Sequence, residues 1–328
     1  MVVEREGFRQ CRPAGGVGAP APADFGDDRE VYSTEPSGGA TGGPSGGATE
    51  GASGGPRTFD LSELALPRLL VAKGSETVSV CIPARDESRT VGDVVRVVGE
   101  AHVAARGGSG LVDEVLVIDD GSTDGTAAVA REAGARVVRT GPGGKGGAMT
   151  TAVGEATGDL IVFLDADVED TTEAFVTGLL GPLLLDADVV LVKGFYRRPL
   201  HDNPTGGGRV TELMARPLLE VYFPDLLPVH QPLAGETAAR RAVLDKLTFA
   251  SGYGVELGLL IDIADRFGPG AIAQVDLGVR THRNRPIDQL RPQAVDILRA
   301  AIARAPSRAS GGVPGDPPDP PGRSQSRR

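Results

Sequence analysis

Short apolar runs alternate along this chain with stretches of helical spacing. Residues 77–82 read as a strand that Pro83 stops, because proline cannot donate to a ladder. Residues 87–103 repeat valines at helical spacing, Val91, Val94, Val95 and Val98 among them. A second strand is expected at 114–118, a helix at 126–133 and a short third strand at 135–138. A flexible glycine-rich loop at 141–147 leads into a helix at 148–156. Residues 160–164 are apolar in unbroken succession and read as a buried strand, which ends in Asp165, Ala166 and Asp167. Strands alternating with helices predict an α/β fold, a mostly parallel sheet with right-handed crossovers. The second half is less regular, with strands expected at 188–195 and 272–277 and helices at 209–219, 255–267 and 287–305. We divide the chain into a tail (1–57), a first half (58–185), a second half (186–305) and a second tail (306–328), the halves sharing one sheet and one cleft.

Composition accounts for the tails. Residues 1–57 are poor in apolar side chains and rich in Gly, Ala, Ser and Pro, and the run Ser37-Gly-Gly-Ala-Thr recurs at Ser45. Such a segment cannot bury enough surface to offset chain entropy and is expected to be disordered, as is 306–328. A net charge of −10 argues against nucleic acid as a partner. The longest apolar run, 174–185, is interrupted by Thr177, Gly178, Gly181 and Pro182 and is too short to span a bilayer, so no membrane partner is expected. Cys11 and Cys81 form neither a disulfide framework nor a zinc site, which suits a reducing cytoplasm.

The candidate chemistry lies at strand ends. Asp165 and Asp167 place negative charge at the carboxyl edge of a sheet, where open α/β folds bind ligands. Paired carboxylates there suit a divalent cation bridging to phosphate oxygens, although a polar turn uses the same residues. After Pro83 the backbone can turn across a base, and Asp120 suits a hydrogen bond from a nucleobase imide. Asp124 suits the cap of the following helix. Lys145 lies among glycines without Walker-loop spacing; it can reach a diphosphate, or it is a solvated lysine on a loop. Residues 206–211 combine three glycines, Arg209, Thr211 and an expected helix start, a combination that holds phosphate or carboxylate. His102, His201 and His230 read as structural or surface residues.

Taken together, Pro83-Ala-Arg-Asp-Glu87, Asp119-Asp-Gly-Ser-Thr-Asp124, Gly144-Lys-Gly146 and the strand ending in Asp165-Ala-Asp167 resemble a GT-A (Rossmann-like) glycosyltransferase over about residues 77–167. Four further motifs stand in order: Lys193-Gly-Phe-Tyr-Arg-Arg-Pro199, Thr205-Gly-Gly-Gly-Arg-Val-Thr-Glu-Leu213, Ser251-Gly-Tyr-Gly-Val-Glu256 and Val279-Arg-Thr-His-Arg-Asn-Arg-Pro286. With them the chain resembles the actinobacterial glucosyl-3-phosphoglycerate synthase family over about residues 77–290. That resemblance implies transfer of glucose from UDP-glucose to the 2-hydroxyl of 3-phosphoglycerate with retention, by front-face displacement. It implies dependence on Mg2+, with Mn2+ or Co2+ able to replace it, and a homodimer in the cytoplasm. The product would be a precursor of glucosylglycerate or methylglucose polysaccharide.

The resemblance also implies roles. Pro83, Ala84, Arg85, Glu87 and Asp120 would line the donor site, with Lys145, Asp165, Ala166, Tyr253 and Glu256. Lys145, Glu256 and Leu233, the last through its carbonyl, would serve catalysis. Gly208, Arg209, Thr211, Arg280 and Asn284 would hold the acceptor, and Asp167 and His282 the metal. Arg85 and Asp86 stand where the family often has Leu-Asn, Ser88 replaces a common Glu, and the loop before Lys145 is short. Donor choice therefore stays open to GDP-glucose and to GDP-mannose, the donor of a mannosyl-3-phosphoglycerate synthase. A non-catalytic sugar-nucleotide-binding protein is the alternative of a different class.

Overall fold

In a computed structural model, residues 54–102, 110–197, 208–279 and 287–306 are described. Both expected tails lie almost wholly outside them, and Arg57 opens the first strand. The described strands are β1 (Arg57–Phe59), β2 (Val78–Ala84), β3 (Glu114–Asp119), β4 (Arg136–Arg139), β5 (Leu160–Phe163), β6 (Leu191–Arg197), β7 (Thr237–Arg240) and β8 (Ile272–Val279). They form one eight-stranded sheet in the order β1-β8-β6-β7-β5-β2-β3-β4. Every pairing is parallel except those of β7, which runs antiparallel between β5 and β6. Strands from both sides of residue 185 thus interleave in one sheet, and that residue closes a helix, α5 below.

The unbroken apolar runs follow from burial on both faces of the sheet. Val80, Ile82, Val117 and Val162 point into one core, while Cys81, Leu116, Ile118, Ile161 and Phe163 point into the other. The first core is closed by α1 (Leu66–Lys73), α2 (Val91–His102), α3 (Thr126–Glu132) and α5 (Glu173–Leu185). The second is closed by α4 (Gly144–Glu155), α6 (Arg216–Tyr222), α7 (Arg241–Leu244), α8 (Val255–Phe267) and α9 (Ile287–Arg304). Burying a side chain the size of Phe163 contributes about 1.5–3 kcal/mol, so the two cores fix the strand register. The apolar run at 174–185 lies in α5, and among the described residues no helix is long and apolar enough to cross a membrane.

Two expectations are corrected. Pro83 does not end the strand, since it pairs with Ile118 and Ala84 pairs with Asp119. The Cys81 carbonyl accepts from Leu164 on the β5 side and the Ala84 carbonyl from Asp120 on the β3 side. By alternation Pro83 faces β5, whose pairing with β2 ends at Cys81, so its missing N–H removes no ladder bond. The glycine-rich segment is not a loop throughout, because α4 begins at Gly144 and takes Lys145 into its first turn. The helix expected at 209–219 does form, starting at Arg209 and passing through a π-helical turn, Thr211–Ala215, into α6.

Candidate active site

The carboxyl ends of β2, β3 and β5 open into a cleft of about 630 Å3. Fifteen of the expected site residues line it: Pro83, Ala84, Arg85, Glu87, Asp120, Lys145, Asp165, Ala166, Asp167, Gly208, Arg209, Thr211, Leu233, Tyr253 and Glu256. Arg280, His282 and Asn284 lie outside the described residues. The sheet edge explains the convergence, since each strand stops and its next residues turn into the same space.

At the β2 end, Asp86 adopts a left-handed backbone with φ 55°. Asp tolerates this region better than most side chains because it can hydrogen-bond locally. Its N–H donates to Ser122 Oγ at 3.0 Å, and its Oδ1 accepts from the Thr123 N–H at 2.7 Å. The Glu87 N–H donates to Thr126 Oγ1 at 2.9 Å. The turn that carries Arg85 and Glu87 is therefore tied to the loop after β3. Asp124 caps α3, accepting from the Thr126 N–H at 2.9 Å, as its position suggested.

Asp120 has a use that the sequence did not reveal. Its two carboxylate oxygens accept from the N–H groups of Gly143, at 2.7 Å, and Gly144, at 2.9 Å. This buried carboxylate caps the start of α4 while facing the cleft. It is why the glycine-rich segment becomes helix at Gly144. The Arg85 guanidinium stands 3.9 Å from it at the rim.

Lys145 occupies the first turn of α4, where the helix dipole opposes a positive charge. Two carboxylates offset that cost. Nζ lies 2.6 Å from Asp165 Oδ1 and 2.6 Å from Glu256 Oε1. Burial works against charge on the ammonium, but the charges of Asp165 and Glu256 outweigh it and hold the lysine well above its ordinary pKa. Lys145 is thus a fixed cation rather than a solvated lysine. Glu256, in the first turn of α8, is itself buried.

On the opposite wall, Gly208 has φ +79° and its carbonyl accepts from the Glu212 N–H at 3.0 Å. This α-helical bond opens a helix at Arg209, which continues as the π-helical turn and brings Arg209 and the buried Thr211 to the cleft. Tyr253 sits on a one-turn helix, Gly252–Gly254, whose N–H at Tyr253 donates to Asp296 Oδ2 at 3.2 Å. Gly252 has φ +57°, and a Cβ there would strike the Asp296 carboxylate. His230 is exposed and packs its ring on Phe195, centroids 4.5 Å apart, which leaves it a structural residue.

Two lining residues and one buried near the cleft escaped sequence reasoning. Gln293 and Asp296 reach the cleft from α9, and the contact of Asp296 with the 252–253 turn is too remote in sequence to leave a local signal. Lys193, 2% exposed on β6, could have been found as a lysine inside an otherwise apolar buried strand.

The site can accept a divalent cation. Among the described residues no three His, Cys, Asp or Glu side chains gather as a ready metal cage. Mg2+ does not need one, because it keeps several waters and takes one or two carboxylates plus substrate phosphates. Asp165 is bound to Lys145, whereas Asp167 is exposed at the cleft rim, as such a ligand should be.

Comparison with known proteins agrees with this geometry. The model of the family described as glycosyl transferase family 2 matches residues 79–247, half of the chain. The chain belongs to glycosyl transferase family 2. It is 46% identical over 255 residues to the glucosyl-3-phosphoglycerate synthase of Mycolicibacterium smegmatis, covering 74% of this chain and 82% of that protein. It is similar to the crystal structure of glucosyl-3-phosphoglycerate synthase from Mycobacterium tuberculosis in complex with Mn2+, UDP-glucose and phosphoglyceric acid, with a TM-score of 0.67 and 44% identity, covering 73% of this chain and 83% of that one. A structure of the same enzyme with Mg2+ and UDP matches with a TM-score of 0.69 and 42% identity, covering 76% of this chain and 86% of that one. The GT-A expectation for this family 2 chain is thereby met, and within the family its relatives are metal-binding, nucleotide-sugar-binding transferases.

Proposed function

We propose that this family 2 transferase moves glucose from UDP-glucose to the 2-hydroxyl of 3-phosphoglycerate with retention, giving glucosyl-3-phosphoglycerate. The observation that carries the reading is the convergence of two walls on one cleft. One wall holds a strand end with Asp165 and Asp167 beside a fixed lysine, and the other a glycine-arginine turn. Relatives at 46% and 44% identity, named for this reaction, support it.

Pro83, Ala84, Arg85, Glu87 and Asp120 take the nucleoside, and Asp165 and Ala166 lie toward the ribose and sugar. Gly208, Arg209 and Thr211 hold the acceptor through a guanidinium, a hydroxyl and an irregular turn. Arg280 and Asn284 assist by resemblance. Asp167, with His282 by the same resemblance, would hold the cation, which supplies charge stabilisation at the diphosphate oxygens. The Lys145 ammonium has three N–H donors, and with two directed at Asp165 and Glu256 the third serves a phosphate oxygen.

Asp165 and Glu256 each lie against the Lys145 cation, and a carboxylate so engaged is a poor nucleophile. Front-face displacement follows. The bond from the anomeric carbon to the β-phosphate oxygen breaks, the acceptor oxygen bonds to the same face, and the hydroxyl proton passes to the departing phosphate. Glu256 and Leu233 orient the sugar while this happens. The substrates are cytoplasmic metabolites, and we place the enzyme there. Leu213 and Val221, 71% and 63% exposed, offer apolar surface for a homodimer. Light scattering should return twice the chain mass, and a monomer would overturn the dimer alone.

The reaction is tested by incubating purified protein with 3-phosphoglycerate, Mg2+ and, in turn, UDP-glucose, GDP-glucose and GDP-mannose. UDP release that requires both 3-phosphoglycerate and Mg2+ is expected. Preference for GDP-mannose would replace the donor, and no nucleoside diphosphate from any pair would refute the activity.

A further inference from the structure

Lys193 lies in the floor beneath the cleft. Its Nζ donates to the Ala234 carbonyl and, at 3.0 Å, to Thr237 Oγ1. Ala234 belongs to a strap, residues 231–236, that carries Leu233 into the cleft. The strap is anchored at both ends. Gln231 Nε2 donates to the Tyr196 carbonyl, and the Gly194 N–H donates to the Glu236 carbonyl at 2.8 Å. Its middle is confined on the far side by Asp165, since a Cβ on Gly235 would land in that carboxylate. The strap is therefore pressed between Lys193 and the side chain that pairs with Lys145.

We propose that Lys193 is a positioning residue for sugar transfer, which holds the Ala234 carbonyl so that the strap presents Leu233 to the sugar. The inference rests on the glucosyltransferase reading above. A methionine would fill the same space without the desolvation cost of an ammonium, so the lysine is explained by the bonds that only it donates. Burial pushes its pKa down to about 8, against the charge of Glu256, which leaves it largely protonated and a donor at neutral pH. A lysine that only stapled β6 to β7 would affect stability and every ligand alike. A strap-positioning lysine affects the sugar and spares the nucleotide and the acceptor.

The test compares K193M with wild type in kcat, KM for 3-phosphoglycerate and Kd for UDP. The expected result is a kcat lower by at least twentyfold, with the KM and the UDP Kd within twofold. A kcat within twofold of wild type would overturn the proposal, and so would UDP affinity falling by the same factor as kcat. Should K193M fail to fold, Thr237→Val removes the second bond together with the Thr237 hydroxyl's own bond, at 3.4 Å, to the Ala234 carbonyl. It is expected to lower kcat three- to tenfold at unchanged UDP affinity, and unchanged kcat overturns the proposal. An inert wild type would instead overturn the reaction itself, whereas an active wild type matched by K193M overturns the role of Lys193 alone.

Discussion

The two walls of the cleft use their polar groups differently. On the nucleotide wall Asp120 accepts from two backbone N–H groups, and Lys145 is held between Asp165 and Glu256. Asp120 and Asp165 follow strand ends, Lys145 and Glu256 open helices, and these side chains constrain one another. The wall proposed for the acceptor is a helix start, where Gly208 in a left-handed conformation opens a helix that presents Arg209 and Thr211 and passes through one π-helical turn. The nucleotide wall suits a large ligand gripped by groups already in place. The acceptor wall suits a small dianion met by a guanidinium and backbone at a turn. Damage to the first should cost folding and turnover together, and damage to the second should show mainly in the acceptor.

The largest effect should come from Asp167→Ala. On the proposed cation role, losing this carboxylate should remove about 3 kcal/mol of charge stabilisation, over a hundredfold in kcat. Metal-dependent turnover near the wild-type rate would refute the metal assignment. Next is Lys145→Met, which leaves two carboxylates facing each other in a largely buried site. Denaturant unfolding should show a loss of about 3 kcal/mol alongside lost turnover, and an unchanged midpoint would break the view of Lys145 as a structural cation. The smallest is Asp120→Asn, whose amide nitrogen cannot accept the second N–H at the start of α4. A loss of about 1 kcal/mol is expected by the same measurement, and none would mean that the cap contributes nothing.

Strands β2 to β5 and both cores of the first half were legible because burial on two faces leaves continuous apolar runs such as 160–164, whereas the short β1 was not. Most of the cleft was legible too, since its residues follow strand ends or stand in distinctive motifs. Pro83 and the start of α4 were misjudged because each depends on a partner distant in sequence: the end of β5 for the proline, and Asp120 for the helix. The short β7 escaped because residues 237–240, Thr-Ala-Ala-Arg, carry little apolar signal and are held by both neighbouring strands. Lys193 and Asp296 escaped because their meaning lies in packing across the chain.

The division between the walls is tested most directly by the steady-state kinetics of Arg209→Ala with both substrates varied. A guanidinium bonded to an anion is worth roughly 1.5–3 kcal/mol. The variant should therefore raise KM for 3-phosphoglycerate by roughly ten- to a hundredfold while KM for UDP-glucose stays within twofold. An equal rise for both substrates, or a rise confined to UDP-glucose, would contradict the account.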